Sequence, residues 1–474
     1  MRRLDRASWP AAGPLRPVRA VHLGLGAFHR SHQAWYTEHA ADAERWGIAA
    51  FTGRSPSAAT PLRDQDGLYT LVERGPQIDR LEVVASLSAA HDGGDAAAWA
   101  ACLASPGVAL VTLTVTEAGY HLDGAGHLPL VDPEVAADIA LLRGATEGGA
   151  VAARTMPGRL AAGLAARRRT DGGPLAVVPC DNLMGNGAAT RSAVVEMAEA
   201  VGGGLAEWIA ARVSFVSTVV DRITPATTPE DLALVGRGME LEDLAAVVTE
   251  PFSEWVLSGE FPSGRPAWEG AGARFVSDVT PFAERKLWLL NGGHSLLAYA
   301  GSALGHRTVA SAVSDPRCRA WLEEWWDGVV PVLRISAEEV AAYRATLIAR
   351  WTNPRISHAL RLIARDGSFK LAQRAVPVVS RYREEGKRPP HGAALLLGAW
   401  LAHLRGSGGE IDDPRAAELL PLAAGEPSQA ARAVLDALDP GLGADATLVA
   451  QVSEAFRELA GMASEAAGAG DTPG

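Results

Sequence analysis

Apolar residues in the first half of the chain fall in short continuous runs separated by stretches of helix length. Val18–Leu23 is the first run; Gly24-Leu25-Gly26 interrupts it, and His32–Ala41 then carries helical spacing. Gly47–Phe51, Val108–Thr116, Leu175–Cys180 and Ser214–Val220 follow. Strands alternating with helices predict βαβ units on a mostly parallel sheet. Continuous rather than alternating runs predict strands buried on both faces. Beyond Phe275-Val276-Ser277 the pattern turns helical, with Ala-, Leu-, Glu- and Arg-rich segments over Leu287–Ala300, Arg319–Val330, Ala337–Ala349, Ala393–Leu404 and Leu448–Leu459. The change predicts an α/β unit over 1–277 and a mostly α-helical unit over 278–474.

Composition narrows the function classes. A chain of 474 residues exceeds one hydrophobic core, and 48% hydrophobic content excludes wholesale disorder. A net charge of −11 argues against nucleic acid or an anionic membrane as the main partner. Cys102, Cys180 and Cys318 cannot build a disulfide framework and lack zinc-ligand spacing, which predicts no metal centre and a reducing, cytoplasmic compartment. Met1–Pro17 is basic without an apolar core, so it is not expected to be a secretion signal. The longest apolar run, Ala393–Ala402, is too short to cross a bilayer. The tail over 461–474 is Ala- and Gly-rich and is expected to fray. Of 44 basic residues only Lys286, Lys370 and Lys387 are lysines. Only an ammonium can give up its proton near neutral pH, so those three positions stand out.

Gly24-x-Gly26 follows a predicted strand and precedes Phe28-His29-Arg30 and a helix. Glycines there let a pyrophosphate approach backbone amides, although His29 stands where a third glycine is usual. The motif alone fits an ordinary strand-to-helix turn equally well; the strand, turn, helix, strand context favours a dinucleotide. After Gly47–Phe51 no acid appears until Asp64, so the usual ribose ligand is missing. Arg54 either faces a 2′-phosphate or is a solvated loop arginine, which leaves NAD against NADP open.

Thr280-Pro281 signals a helix start. On an α-helix, Asn291 would lie about 140° and His294 about 80° from Lys286, within one arc of an otherwise apolar helix. A Lys, an amide and a His on a buried face need polar partners, and Gly292-Gly293 suggests that a ligand or another backbone comes close. The bland alternative is a snorkelling lysine and a satisfied core histidine. Polar residues also end three predicted strands: Glu117, Asn182 and Asp221. Asp181 and Asn186 read as turn formers.

Several of these motifs together resemble the mannitol dehydrogenase family of polyol-specific long-chain dehydrogenases. They are His22-Leu-Gly-Leu-Gly-Ala-Phe-His-Arg30, Thr114-Val-Thr-Glu-Ala-Gly-Tyr120, Cys180-Asp-Asn182, Val220-Asp-Arg-Ile-Thr-Pro225, Pro251-Phe-Ser-Glu-Trp-Val256, Gly264-Arg-Pro266, Lys286-x4-Asn291-x2-His294, Asn353-Pro354 and Asp366-Gly-Ser-Phe-Lys370-Leu. The resemblance runs nearly end to end. It implies a Rossmann-type N-terminal domain, a helical C-terminal domain and an active site in the cleft between them. It also implies a metal-independent oxidoreductase that uses NAD, or sometimes NADP, on a polyol, ketose or hexuronate, as a monomer or small homo-oligomer. By matching motif Lys286 is the general base, Asn182 and Asn291 hold the reacting oxygen, His294 orients the substrate, and Asp221 lies near the lysine. Gly24, Gly26, Phe28, His29, Arg30, Arg54 and Glu117 are expected on the cofactor.

The chain departs from the family pattern after the second strand, where Ser57 stands near the usual acid. It departs again at Ala283, where many members carry an acid three residues before the lysine. Two substrate pairs fit, D-mannitol/D-fructose and D-mannonate/D-fructuronate. The second, the fructuronate reductase type, needs a cation for its carboxylate. Lys370 and Arg374, with His358, are the candidate substrate ligands; the two cations are equally readable as structural. A reading of another class is a non-catalytic NAD-binding sugar sensor on the same fold, against which the complete Lys286, Asn291, His294 and Asn182 set argues.

Overall fold

Six short strands form one sheet: β1 (Val18–Leu23), β2 (Gly47–Phe51), β3 (Leu87–His91), β4 (Leu110–Leu113), β5 (Leu175–Pro179) and β6 (Val213–Phe215). Their order is β3-β2-β1-β4-β5-β6, with every neighbouring pair parallel. This is the order of a dinucleotide-binding α/β fold. Every residue of β2 and β5 is buried, as continuous apolar runs require. Alternate residues feed two separate cores. Ala20, Ile48, Ala50, Leu110 and Val178 face one; Val21, Ala49, Phe51, Val111 and Val177 face the other. The computed structural model describes residues 1–53, 55–145, 149–356 and 358–469. The chain divides into two compact units, Met1–Thr280 and Pro281–Gly474.

Two expectations change. The run read as one strand over Ser214–Val220 is two strands: β6 stays in the parallel sheet, whereas Ser217–Asp221 pairs antiparallel with Glu254–Ser258. The crossover residue Val216 is fully buried, and the Ser217-Thr218 that follows it is no more polar a signal than Ser214 at the start of the run. Glycine marks it instead: a Cβ at Gly187 would lie 2.6 Å from Ser217 Oγ, and one at Gly259 would lie 3.0 Å from Val216 Cα. The helix expected over His32–Ala41 is a pair, Ala27–Ser31 and Gln33–Glu38, broken at His32 where ψ is −89°.

In the second unit, Pro316–Val329, Ala337–Trp351, His391–Leu404 and Ala446–Ala469 are the long helices. Gly392 to Leu404 is buried on every side. That explains the apolar run: a helix apolar all round belongs in a core. Among the described residues no helix is long and apolar enough to cross a membrane. The three thiols are unpaired. Cys318 lies with His306 and Asp315 in a possible cation-binding group. However, Asp315 is held by Arg317 at 2.8 Å and His306 at 3.0 Å, and burial pushes the Cys318 thiol up to about 12, so the group reads as a helix cap.

One arginine ties the first unit together. Arg167, fully buried, spends all five guanidinium N–H groups on carbonyls: Gly173 (2.8 Å), Leu103 and Ser105 (3.0 Å each), Val108 (2.9 Å) and Pro174 (3.0 Å). Lysine has three donors and no fork, so it could not replace this contact set. Arg167→Lys is therefore expected to lower unfolding free energy by about 3 kcal/mol or more in urea melts, since each buried carbonyl left without a donor costs about 1–3 kcal/mol. A loss under about 1 kcal/mol would contradict that role.

Candidate functional site

At the carboxyl ends of β1, β2 and β4 the first unit encloses a cavity of about 880 Å³, lined by Gly24, Gly53, Gly93, Thr114, Thr116 and Arg159 among others. Open α/β sheets bind ligands in this place, and the size suits a ligand of several hundred daltons. Gly24 has φ of +109°, and a Cβ there would sit 2.0 Å from the Thr114 carbonyl oxygen, so only glycine fits the turn after β1. Arg30 does not enter the cavity. Its Nε donates to Gly26 O at 3.2 Å and its NH1 to Ala245 O, bracing the turn from behind. Phe28 stacks on His32 with ring centroids 5.0 Å apart. Arg54 lies outside the described residues.

His29, in the third-glycine position, is fully buried and lies flat on His22, with ring centroids 3.3 Å apart. His22 Nδ1 meets Thr112 Oγ1 at 2.8 Å and Nε2 meets Thr114 Oγ1 at 3.0 Å. Thr114 gives its only hydroxyl proton to Gly24 O at 2.8 Å, so it accepts from His22 Nε2–H. A chain of hydrogen bonds thus runs from β4 through His22 to the glycine turn. Burial holds His22 down to about 3 and, with the His22 charge, His29 well below its ordinary value.

The ends of β4 and β5 are clipped together by groups that read as turn formers in the sequence. Asp181 accepts from Tyr120 O–H at 2.6 Å and Val115 N–H at 2.7 Å; burial, with the Glu117 charge, raises its carboxyl to about 7. Asn186, fully buried, donates to Pro179 O, Asp181 O and Thr218 O and accepts from Thr218 N–H at 2.9 Å. Both are structural clips rather than turn residues, and no spacing in the sequence announces them. They fix the backbone beside Asn182, whose side chain is exposed at the end of β5. Glu117, also exposed, begins the short turn Glu117–Tyr120. Asp221 is buried at the end of the antiparallel strand, so it does not end a parallel strand as expected.

In the second unit, Lys286 opens a π turn over Lys286–Gly292, and a second spans Leu297–Gly301. The α-helical angles therefore do not apply. An i→i+5 turn is wider, so residue 291 lies closer in angle to residue 286 than α winding would place it. Carbonyls of this turn also accept from side chains on later helices. Trp325 Nε1–H donates to Trp288 O at 2.8 Å and Trp326 Nε1–H to Leu289 O at 2.9 Å. Arg374 NH1 donates to Asn291 O at 3.1 Å and Ser295 Oγ at 2.8 Å. A Cβ at Gly292 would lie 2.7 Å from the Trp325 ring, so indoles, rather than a ligand or another backbone, approach the glycine pair. Glu284 is buried against Arg334 and Arg381, facing structural partners.

His294 is 6% exposed, with its ring 4.7 Å from Trp351 and 4.8 Å from His358. Burial first, then the charges of His358, Arg350 and Arg374, keeps its imidazole neutral. His294 Nε2 and His358 Nδ1 are buried without hydrogen-bond partners among the described residues. Two polar ring atoms near each other and unmatched suit a ligand rich in hydroxyls. Lys370 rests its Nζ on Ile363 O at 3.2 Å and Arg365 O at 2.6 Å.

Family models match both units: the mannitol dehydrogenase Rossmann domain over residues 18–270 and the mannitol dehydrogenase C-terminal domain over 278–460. The chain belongs to the mannitol dehydrogenase family. It is 37% identical over 417 residues to the D-mannonate oxidoreductase of Escherichia coli (strain K12), covering 84% of each chain. It is 35% identical over 401 residues to a mannitol 2-dehydrogenase of Cereibacter sphaeroides, covering 82% of this chain and 81% of that protein. The Pseudomonas fluorescens mannitol 2-dehydrogenase, solved as a ternary complex with NAD and D-mannitol, superimposes with a TM-score of 0.82 at 31% identity, covering 99% of this chain and 100% of that one.

Two consequences of the geometry in this family member are measurable. His22 titrates near 3 folded and at its ordinary 6.5 unfolded, so between those values the unfolded chain binds the extra proton. Stability should be level above pH 7 and fall below about 6.5, by up to about 1.4 kcal/mol per pH unit per histidine. His22→Gln should make the fall of thermal midpoint with acid shallower; an unchanged slope would contradict this. Trp325→Phe keeps a ring against Gly292 but removes the donor to Trp288 O, so urea melts should show a loss of about 1–3 kcal/mol.

Proposed function

We propose that this chain is an NAD(P)-dependent secondary-alcohol dehydrogenase interconverting an acyclic polyol and its 2-ketose, of the D-mannitol/D-fructose type. The observation that carries the reading is the Lys286, Asn291 and His294 set on one helix whose π turns are held open from outside. The cavity at the ends of β1, β2 and β4 fits the adenosine side of a dinucleotide, since Gly24 and Gly93, which leave no room for a Cβ, line it. When bound, the dinucleotide takes up the hydride from the carbinol carbon.

The chain's own residues do the rest. Lys286, as the neutral amine, removes the hydroxyl proton while the carbon–hydrogen bond breaks. The carboxamides of Asn291 and Asn182 donate to the oxygen as negative charge develops on it. His294, neutral by burial, binds a neighbouring hydroxyl through its unmatched Nε2, with His358 beside it. Asp221 is assigned to tuning the lysine. No step requires a metal ion. The reading assigns cofactor binding to the unit ending near 277 and substrate binding to the unit after it, in a cytoplasmic protein whose cysteines stay reduced.

A second reading, D-mannonate/D-fructuronate, is favoured by the similarity to the Escherichia coli D-mannonate oxidoreductase. It needs a cation for the carboxylate. Lys370 and Arg374 each already hold backbone carbonyls, so the polyol reading stands first.

Oxidation of NADH and NADPH with fructose, fructuronate and tagaturonate, followed by absorbance, tests the reading. Fastest turnover with fructose is expected. A preference for fructuronate selects the second reading, and cofactor binding without turnover of any ketose or keto-acid selects a sensor. Lys286→Arg should fold normally and lose nearly all turnover, because guanidinium stays protonated. More than about a tenth of wild-type activity would sink the base assignment, since such catalysis contributes about 10²–10⁴-fold.

A further inference from the structure

Arg159 lies in the wall of the first unit's cavity, in the first turn of the helix Met156–Arg169, and is 8% exposed. Its NH1 donates to Thr52 O at 3.3 Å, the residue immediately after β2. Its NH2 is buried and has no hydrogen-bond partner among the described residues. The guanidinium lies 5.6 Å from the centroid of the Trp99 ring, and Trp99 Nε1–H donates to the Arg159 carbonyl at 2.7 Å, which fixes the backbone beneath it.

Two carboxylates exert charge on Arg159, and each is engaged elsewhere. Asp138 accepts from Arg154 N–H, Thr155 N–H and Thr155 Oγ1–H. Asp92 accepts from Gly94 N–H at 2.8 Å. A guanidinium is thus buried at a cavity wall with one nitrogen that no anion among the described residues meets by a hydrogen bond. Burying a cation is costly unless an anion meets it, so the arrangement suits an anionic group brought by a ligand.

The position says which group. In a sheet of this order the adenosine ribose lies beyond the end of β2; an acid there takes the 2′-hydroxyl, and an arginine accommodates a 2′-phosphate. Thr52 and Gly53 follow β2, and no acid appears before Asp64. A Cβ on Gly53 would meet nothing within 4 Å, so there is room for the larger group.

We propose that Arg159 is a cofactor-specificity residue whose unmatched N–H binds the 2′-phosphate of an adenine dinucleotide, so that the chain accepts NADP(H) as well as NAD(H). The proposal rests on the reading of the cavity as the dinucleotide site. Its test is equilibrium titration of the full chain with NADPH and NADH by nicotinamide fluorescence, and with adenosine 2′,5′-bisphosphate and 5′-AMP by calorimetry. The wild type should bind both dinucleotides. In Arg159→Met the NADPH-to-NADH affinity ratio should fall at least about tenfold, and the bisphosphate-to-AMP ratio likewise, as expected for one lost charged hydrogen bond. Arg159→Lys, which keeps the charge, should lose less. Wild-type binding of NADH without NADPH would overturn the proposal while leaving the dehydrogenase reading intact. Equal weakening of both dinucleotides in Arg159→Met would overturn it too, marking an adenine contact instead. Should that variant not fold, the same ratio in Arg159→Lys decides: a loss confined to the 2′-phosphate ligands supports the proposal, and an equal loss overturns it. Binding of neither dinucleotide would remove both readings together.

Discussion

A backbone carbonyl buried without a donor costs about as much as a lost hydrogen bond, and this chain meets the constraint with side chains wherever its regular ladders stop. Arg167 gathers five carbonyls from two stretches of chain, 103–108 and 173–174, Asn186 clips the point where the chain leaves one sheet for the other, and two indoles and Arg374 serve the widened helix. Two of these sites also border residues assigned to chemistry: Asn186 lies four positions from Asn182, and Trp325 and Trp326 bond the turn between Lys286 and Asn291.

The same economy governs charge. The histidines under the glycine turn are kept neutral by burial, and they stack because neither carries a proton to repel the other. A protonated pair at that distance would push apart and disturb Thr114, which holds Gly24. The glycine turn is therefore built on uncharged polar groups, which leaves its backbone amides as the local positive dipoles.

The parallel sheet was legible because buried strands must be apolar throughout, and β1, β2 and β5 read directly as runs. β3 was not foreseen, since Leu87–His91 mixes Ser, Ala and His and looks like a loop. The split of Ser214–Val220 was illegible because each half opens on a serine and runs into apolar residues, and the break is a change of partner rather than of residue type. The Lys286, Asn291 and His294 set stood out through residue type and motif, but its angular arrangement depends on tryptophans distant in sequence, which no local spacing reveals. Lysine rarity proved a mixed signal: Lys370 holds carbonyls, as an arginine could, and Lys387 pairs with Glu385 on the surface. Arg159 carried no signal at all, because a buried arginine in an Arg-rich helix looks like its neighbours until the cavity beside it is seen.

The donors that hold the Lys286 helix open sit on Pro316–Val329 and Gly367–Arg374, both later in the chain. An isolated segment from Lys286 to Gly301 has no reason to wind in anything but α register, since α winding satisfies its own carbonyls. The winding that sets Asn291 near Lys286 in angle thus has supporting contacts from helices later in the chain. Collapsed or partly folded forms with full helix content would still point these side chains wrongly. For this molecule, helix content alone does not set the directions of these side chains; the winding that does is braced by two indole rings and an arginine.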